Sequence, residues 1–249
     1  MTRFALVLAL LLPLSVAKAQ FRMVKRLDSF HSIDHRTGYD LVLTDRGTNG
    51  TVIVEGKEDA VGLITTTVRD GTLHIASEPN KNFLPDLPFF NARLEIRQSI
   101  RITVSCRGLA SLRTEGAGTV TANNFRFRDL KTESLGGGAL LFKRCRFYSL
   151  ESNLEGKGRI LFENCEAVDT RLELEGDGAI EGHTLRTKNL DARVFGAGRI
   201  TAYPRELLKA RVTGKGSILY RGNPSSLEKE IAEGGTIGKY PGVISEDSK

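Results

Sequence analysis

The chain has 249 residues, of which 40% are hydrophobic, with 26 Gly, 12 Phe and no Trp. This is enough apolar material for a packed core. Its 36 basic and 30 acidic residues give a net charge of +6 that is spread along the sequence. A nucleic-acid-binding protein would carry a basic stripe interleaved with aromatic residues, and no such stripe is visible. The composition therefore indicates a mixed-charge surface and argues against nucleic-acid binding.

Residues 1–19 have the features of a secretory signal peptide. Arg3 precedes an apolar run from Phe4 to Val16, and Ala17-Lys18-Ala19 forms an A-x-A cleavage site. The run is short and contains Pro13, which argues against a membrane anchor, and no later stretch is predicted to cross a membrane. We therefore expect Sec-dependent export with cleavage after Ala19, to the periplasm, the cell surface or the medium.

Residues 26–106 are predicted to form short strands and turns. Alternating apolar residues, such as Leu41 and Leu43, have the period of two that is typical of strands. Asp70-Gly71 lies between two further segments of this kind. It predicts a two-residue hairpin turn, because both positions of such a turn must accept positive φ. This region is therefore predicted to be all-β and partly antiparallel.

Residues 77–91 contain three prolines and three phenylalanines. They are predicted to form a loop, because proline interrupts strand ladders. Such a loop either covers an exposed end or edge of the fold or presents Phe83 to Phe90 as an apolar binding tip. Strands are predicted again at 93–96 and 100–106.

The rest of the chain is built on a Gly-x-Gly pair that returns every twenty residues. The pairs are Gly116/Gly118, Gly136/Gly138, Gly156/Gly158, Gly176/Gly178 and Gly196/Gly198, followed by a shortened copy at Gly214/Gly216 and a degraded one at Gly234/Gly235. A fixed period of this length is the signature of a stacked-repeat solenoid. Glycine is expected at its corners, where other residues would be strained.

Three apolar columns recur between the glycine pairs. Counted from the first glycine, position +4 reads Val120, Leu140, Ile160, Ile180, Ile200 and Ile218; position +9 reads Phe125, Cys145, Cys165 and Leu185; position +14 reads Leu130, Leu150, Thr170 and Leu190. Three inward faces per coil are typical of a β-helix, in which equivalent positions stack about 4.8 Å apart. We predict an all-β fold, a single-stranded parallel β-helix with coils of about 20 residues, preceded by short strands and hairpins.

Cys145 and Cys165 fall in the same column of adjacent rungs. Their separation is within disulfide range, and an exported protein can form the bond. Side chains of parallel neighbours point side by side, however, which favours a buried pair of free thiols. We hypothesise that no disulfide joins them.

The sequence predicts no catalytic, cofactor-binding or metal-binding residues and no cofactor. The histidines are scattered at His31, His35, His74 and His183, and the spacing of the first two does not bring both rings to one side of a strand. A glutamate precedes the glycine pair at Glu115, Glu155 and Glu175, but Leu135 and Phe195 interrupt this possible calcium ladder. The carboxylates Asp129, Asp169, Asp191 and Glu133 are not predicted to share one column, as those of a polysaccharide-cleaving β-helix would.

Several motifs resemble one bacterial family. They are Phe30-His31-Ser32-Ile33, Gly38-Tyr39-Asp40-Leu41, Asp70-Gly71-Thr72-Leu73-His74-Ile75, the Gly-x-Gly-x-Val/Ile/Leu series, and the segment from Gly216 to Pro224. Their order and spacing are similar to the secreted β-helix family described as "putative auto-transporter adhesin head", or GIN domain. The resemblance covers nearly the whole mature chain and implies a right-handed coil. The chain departs from the family pattern, which has Ser between the glycines, at Ala117, Lys157, Asp177, Ala197 and Lys215.

The resemblance implies an exported, non-catalytic adhesin-like module of the cell envelope or surface. We expect a signal peptide (1–19), a GIN-like domain (20–240, with a strand region at 26–106 and regular repeats at 107–240) and a polar tail (241–249). The expected partner is a glycan, a host protein or an envelope protein. Two alternatives remain: a structural module that self-associates through a solenoid end or strand edge, and a polysaccharide-active enzyme.

Overall fold

The structure is a computed structural model that describes residues 21–77 and 100–241. The predicted signal peptide, the Phe83 to Phe90 loop, the predicted strand at 93–96 and residues 242–249 of the predicted tail lie outside the described residues. Within the described ranges, no helix is long and apolar enough to cross a membrane.

The described residues form 19 strands and one short helix. Their bounds are β1 Phe21–Arg26, β2 Ser32–Arg36, β3 Asp40–Thr44, β4 Thr51–Gly56, α1 Glu58–Val61, β5 Ile64–Arg69, β6 Thr72–Ser77, β7 Arg101–Ser105, β8 Ser111–Glu115, β9 Thr119–Asn123, β10 Arg126–Gly136, β11 Ala139–Lys143, β12 Arg146–Gly156, β13 Arg159–Glu163, β14 Cys165–Gly176, β15 Ala179–Gly196, β16 Arg199–Thr213, β17 Ser217–Tyr220, β18 Ser226–Ala232 and β19 Thr236–Lys239.

From β8 onward the strands stack as the parallel rungs of a solenoid. The long strands pair in the order β8, β10, β12, β14, β15, β16 and β18. Residue i lies beside residue i+20 from β8 to β15, as Leu130 lies beside Leu150. In the last rungs the offset shortens to 18 residues for Leu190 beside Leu208 and to 19 for Leu208 beside Leu227. The short strands β9, β11 and β13 stack in the same way on another face. The predicted parallel β-helix is confirmed, with about six turns.

The core of the solenoid includes the three predicted inward columns. The residues at +4, +9 and +14 are all buried, from Val120 at one end to Ile218 at the other. Further columns are buried with them, such as that of Ala122, Phe142 and Phe162. Another inward column includes hydroxyl groups that are paired across rungs: Thr132 and Ser152 are 2.5 Å apart at their Oγ atoms. Pairing stops these buried polar groups from destabilising the core.

The two glycines of each pair are required for different reasons. The first has positive φ in every rung, between +99° and +119° in the series from Gly116 to Gly214. The second approaches the rung beneath: a Cβ at Gly178 would lie 2.7 Å from the carbonyl oxygen of Gly158. The predicted corner conformation is therefore found at the first glycine, whereas the second is fixed by close backbone packing.

The N-terminal strands, which are predicted to precede the regular coils, pair with those coils and belong to the same solenoid. Strand β2 pairs in parallel with both β6 and β8, and β3 pairs in parallel with β7 and β9. Residues 32–44 thus form one rung beneath β8 and β9, and β6 with β7 forms the next. The predicted hairpin between β5 and β6 is confirmed, with positive φ at Asp70 and Gly71. Antiparallel β1, β4 and β5 close this end.

The C-terminal end of the described solenoid is a rung made of β18 and β19. Every side chain of β18 is exposed, including Leu227 (43%) and Ile231 (49%), whose register partners in β16 are buried. Lys229 continues the inward column of Ala192 and Ala210, and its Nζ lies 5.3 Å from the centre of the Tyr220 ring. An inward-pointing charge of this kind opposes the addition of another apolar rung.

Candidate binding site

A second corner of the coil, between the short and the long strand, uses residues other than glycine. Asn124, Arg144 and Asn164 occupy it in three successive rungs with φ of +63°, +52° and +53°. Asparagine tolerates this left-handed region better than most residues, whereas arginine does not share that advantage. The backbone therefore explains the two asparagines but not Arg144.

This corner opens into a polar groove of about 300 Å³. We call it the corner groove, and its polar side chains are Asn124, Arg126, Arg144, Arg146, Asn164 and Glu166. Arg144 Nε donates a hydrogen bond of 2.8 Å to Asn124 Oδ1, and Arg146 Nε lies 3.2 Å from Glu166 Oε2. Both arginines stay exposed, so their remaining N–H groups are available to a ligand.

The corner groove differs in charge from a neighbouring outward column of the long strands. In the column that begins at Lys131, charges alternate between rungs, as in Lys131–Glu151 (3.1 Å) and Lys209–Glu228 (3.3 Å). In the groove, by contrast, Arg126 lies beside Arg146 in register. Among the described residues, neither Arg126 nor Arg144 forms an ion pair. The groove therefore carries unneutralised positive charge.

The groove lies over a rigid, aromatic part of the core. Phe125 and Phe127 stack with ring centres 5.0 Å apart, and Phe127 stacks on Phe147 at 5.3 Å. Phe142 meets Phe147 edge to face at 5.8 Å. Because these buried rings fix the backbone beneath the arginines, the groove is preorganised by packing.

Two other grooves have a different charge balance. In one, between β15, β16 and β18, each basic group on the outer surface has a carboxylate: Arg193 contacts Asp191 at 2.8 Å and Arg211 contacts Glu230 at 2.6 Å. The other is acidic and includes Glu133, Glu155, Glu173 and Glu175. Neither combines free positive charge with amide groups as the corner groove does.

The four histidines occupy separate environments. His35 is 1% exposed in the core, with Nε2 2.7 Å from Thr37 Oγ1, and burial lowers its pKa to about 4. His74 Nδ1 lies 3.2 Å from Asp34 Oδ2. The other two are His31, which is exposed, and His183, which stacks on Tyr240. The structure therefore does not bring the histidine rings together into one site.

The acidic residues that the sequence singled out are also dispersed. Asp129 and Asp169 do share an outward column, two rungs apart, but Asp191 and Glu133 belong to two other columns. Glu155 lies beside Glu175, while Leu135 and Phe195 occupy the flanking rungs. The described part of the chain contains no group of three His, Cys, Asp or Glu residues that could hold a metal ion.

The three cysteines are buried free thiols. The backbone N–H of Cys145 donates to Cys165 Sγ at 3.4 Å, so the pair stacks within the +9 column. Interaction with Cys145 and burial together raise the pKa of Cys165, and burial raises the pKa of Cys106 to about 12. Cys106 and Cys165 are therefore poor nucleophiles, because little thiolate forms at a high pKa.

The chain matches a known protein family over most of its length. The family described as "Putative auto-transporter adhesin, head GIN domain" matches residues 29–224. The chain belongs to this family. No curated protein matches it.

Solved structures share the fold. A "putative adhesin" from Bacteroides fragilis is 25% identical, with a TM-score of 0.75 over 90% of this chain and 98% of that one. A "putative lipid binding protein" from Parabacteroides distasonis is 18% identical (TM-score 0.65, 90% and 98% covered). A "putative adhesin" from Parabacteroides merdae is 15% identical (TM-score 0.64, 90% and 97% covered). The last two similarities establish the fold alone.

Proposed function

We propose that this GIN-domain protein is an exported, non-catalytic adhesin-like module that binds a partner at the bacterial envelope or surface. The observation that carries the proposal is the corner groove, a preorganised surface on which Arg126 and Arg144 form no ion pair with any of the residues that the structure describes. The match to a family named for adhesion supports the same conclusion. Export is supported by the signal-peptide features of residues 1–19.

The side chains of the described chain support binding over catalysis. A hydrolase of polysaccharides needs a pair of suitably spaced carboxylates, and a nucleophilic enzyme needs an accessible, activated group. The thiols and His35 are buried, and Asp129, Asp191 and Glu133 lie on different columns. The carboxylates that do gather are those of the acidic groove, at Glu133, Glu155, Glu173 and Glu175, and the catalytic alternative would use this groove. The catalytic alternative predicts that some polysaccharide in a broad panel is cut, with or without added calcium.

The test of this proposal is a binding array that carries glycans, extracellular-matrix proteins and envelope proteins. The probe is the chain without the predicted signal peptide, residues 20–249. We expect a reproducible subset of partners to bind, in a salt-dependent way if the groove is used. A silent array would contradict the proposal.

A second function, self-association into a structural assembly, is favoured by the exposed strand β18. Its outer edge and the side chains of Leu227 and Ile231 offer a surface to another strand. Lys229 opposes this by placing a charge over the end of the core. Light scattering at high concentration separates the two functions, because a structural assembly must form oligomers and a binding module need not.

A further inference from the structure

We propose that the corner groove binds a carboxylate-bearing sugar residue, such as the uronate of an acidic polysaccharide. This inference rests on the proposed function and names the ligand class and the site. Arg126, Arg144 and Arg146 would contact the carboxylate, and Asn124 and Asn164 would contact the hydroxyl groups.

The charge of the groove selects for an anion. Three arginines line it, and Glu166 neutralises one of them, Arg146. Arg126 and Arg146 are direct neighbours on parallel strands, an arrangement that is destabilising until an anion lies between them. Guanidinium groups bind carboxylates through two parallel hydrogen bonds, so the planar carboxylate suits this set of donors.

The backbone conformation of Arg144 independently supports a ligand site in the corner groove. Its φ of +52° would be adopted with less strain by asparagine, which is found at the same corner one rung below and one rung above. Nothing in the described packing requires arginine there, because the side chain is exposed and its one side-chain hydrogen bond to a described residue is to Asn124. Arg144 has a strained backbone, and it lies near Arg126, which forms no ion pair with the described residues. Backbone strain of this kind is typical of ligand-binding sites.

The remaining groups of the groove suit a sugar. The asparagine amides offer both donors and acceptors, which match hydroxyl groups. Outside the lining of the groove, Tyr148 is 60% exposed and follows Arg146 by two residues on β12. A flat exposed ring provides a stacking surface for the face of a sugar ring. The groove is polar, which argues against a lipid acyl chain as the occupant.

The experiment uses residues 20–249 and measures polygalacturonate binding by calorimetry at low salt. Methyl-esterified pectin is the neutral matched ligand, dextran sulfate tests any anionic polymer, and phosphatidylglycerol vesicles test an anionic membrane. We expect polygalacturonate to bind most tightly and the methyl ester to bind at least about tenfold more weakly, since charge-assisted hydrogen bonds are lost.

The variants are Arg126→Gln and Arg144→Asn, with Arg186→Gln as the matched control. Arg144→Asn restores the residue type found at this corner in the adjacent rungs, so it is compatible with folding. Arg186 occupies the same outward column one rung beyond Glu166 and does not line the groove. We expect about tenfold weaker binding for each groove variant and a change below about twofold for the control.

A stacking role for Tyr148 is tested with Tyr148→Ser, for which we expect about fivefold weaker binding of polygalacturonate. Unchanged affinity in the two groove variants would overturn the site. Equal binding of dextran sulfate or of the methyl ester would overturn the ligand class, and preferential binding to vesicles would assign the groove to a membrane. If polygalacturonate does not bind while the array shows other partners, this inference fails and the proposed function stands; a silent array removes both.

Discussion

The buried histidine makes the stability of the fold dependent on pH. Burial lowers the pKa of His35 to about 4 from the ordinary value of 6.5, although Asp34 and Asp40 act in the opposite direction. The unfolded chain therefore binds a proton between pH 6.5 and 4 while the folded chain does not. The contribution of neutral His35 to stability is complete above pH 6.5 and is lost as the pH falls towards 4.

The size of this effect follows from the difference between the two pKa values. Each pKa unit corresponds to about 1.36 kcal/mol, so lowering the pH from 7 to 4 removes about 3 kcal/mol of the free energy of unfolding through His35. The substitution His35→Gln isolates the contribution of His35 to this pH dependence, because glutamine can keep a hydrogen bond to Thr37 but does not titrate. Between pH 7 and pH 4 the free energy of unfolding of the variant is expected to fall by about 3 kcal/mol less than that of the wild type.

The assay is urea denaturation at pH 7, 6, 5 and 4, with the free energy of unfolding compared between proteins at each pH. Carboxylates that titrate in both proteins cancel in the comparison. His31→Gln is the matched control for the substitution itself, since His31 lies at the surface rather than in the core. Parallel pH profiles for wild type and His35→Gln would refute the reasoning.

Three further predictions concern the corners, the thiols and the open end. Gly176→Val should destabilise the fold by about 3 kcal/mol or more in urea denaturation, because φ is +109° and a Cβ would lie 2.7 Å from Gly156 O. Denatured, unreduced protein should react with thiol reagent at three cysteines per chain, because Cys145 and Cys165 are free. Lys229→Val should produce concentration-dependent oligomers in light scattering, because it removes the charge over the end of the core.

Each of these predictions has a control or a contrary result. Asp177→Ala, at the exposed tip of the same turn, should change stability by less than about 0.5 kcal/mol; an equal loss for both variants would contradict the corner argument. A single reactive thiol would establish a disulfide in the column. Lys209→Val removes an outward lysine from the adjacent rung, and association of this variant as strongly as Lys229→Val would show that the inward position is irrelevant.

Much of the fold could be predicted from the sequence because its determinants are local and periodic. The glycine pairs, the column that begins at Val120 and the turn at Asp70-Gly71 each have a short-range physical cause, and each is confirmed. The second corner left a usable signal as well. Asn124 and Asn164 lie forty residues apart, which is two periods, and asparagine favours left-handed backbone.

The tertiary structure decided which segments are neighbours. Strand β2 lies between β6 and β8, although β3 to β5 separate it from β6 in the sequence and β3 to β7 separate it from β8. No local pattern specifies that pairing, because backbone hydrogen bonds are indifferent to sequence. The corner groove is likewise determined by which rungs become neighbours in the tertiary structure. Arg126, Arg144 and Arg146 are ordinary surface residues in the sequence, and stacking of the rungs brings their charges into one groove. Only there does it become visible that, within the described residues, Glu166 pairs with Arg146 while Arg126 and Arg144 form no ion pair.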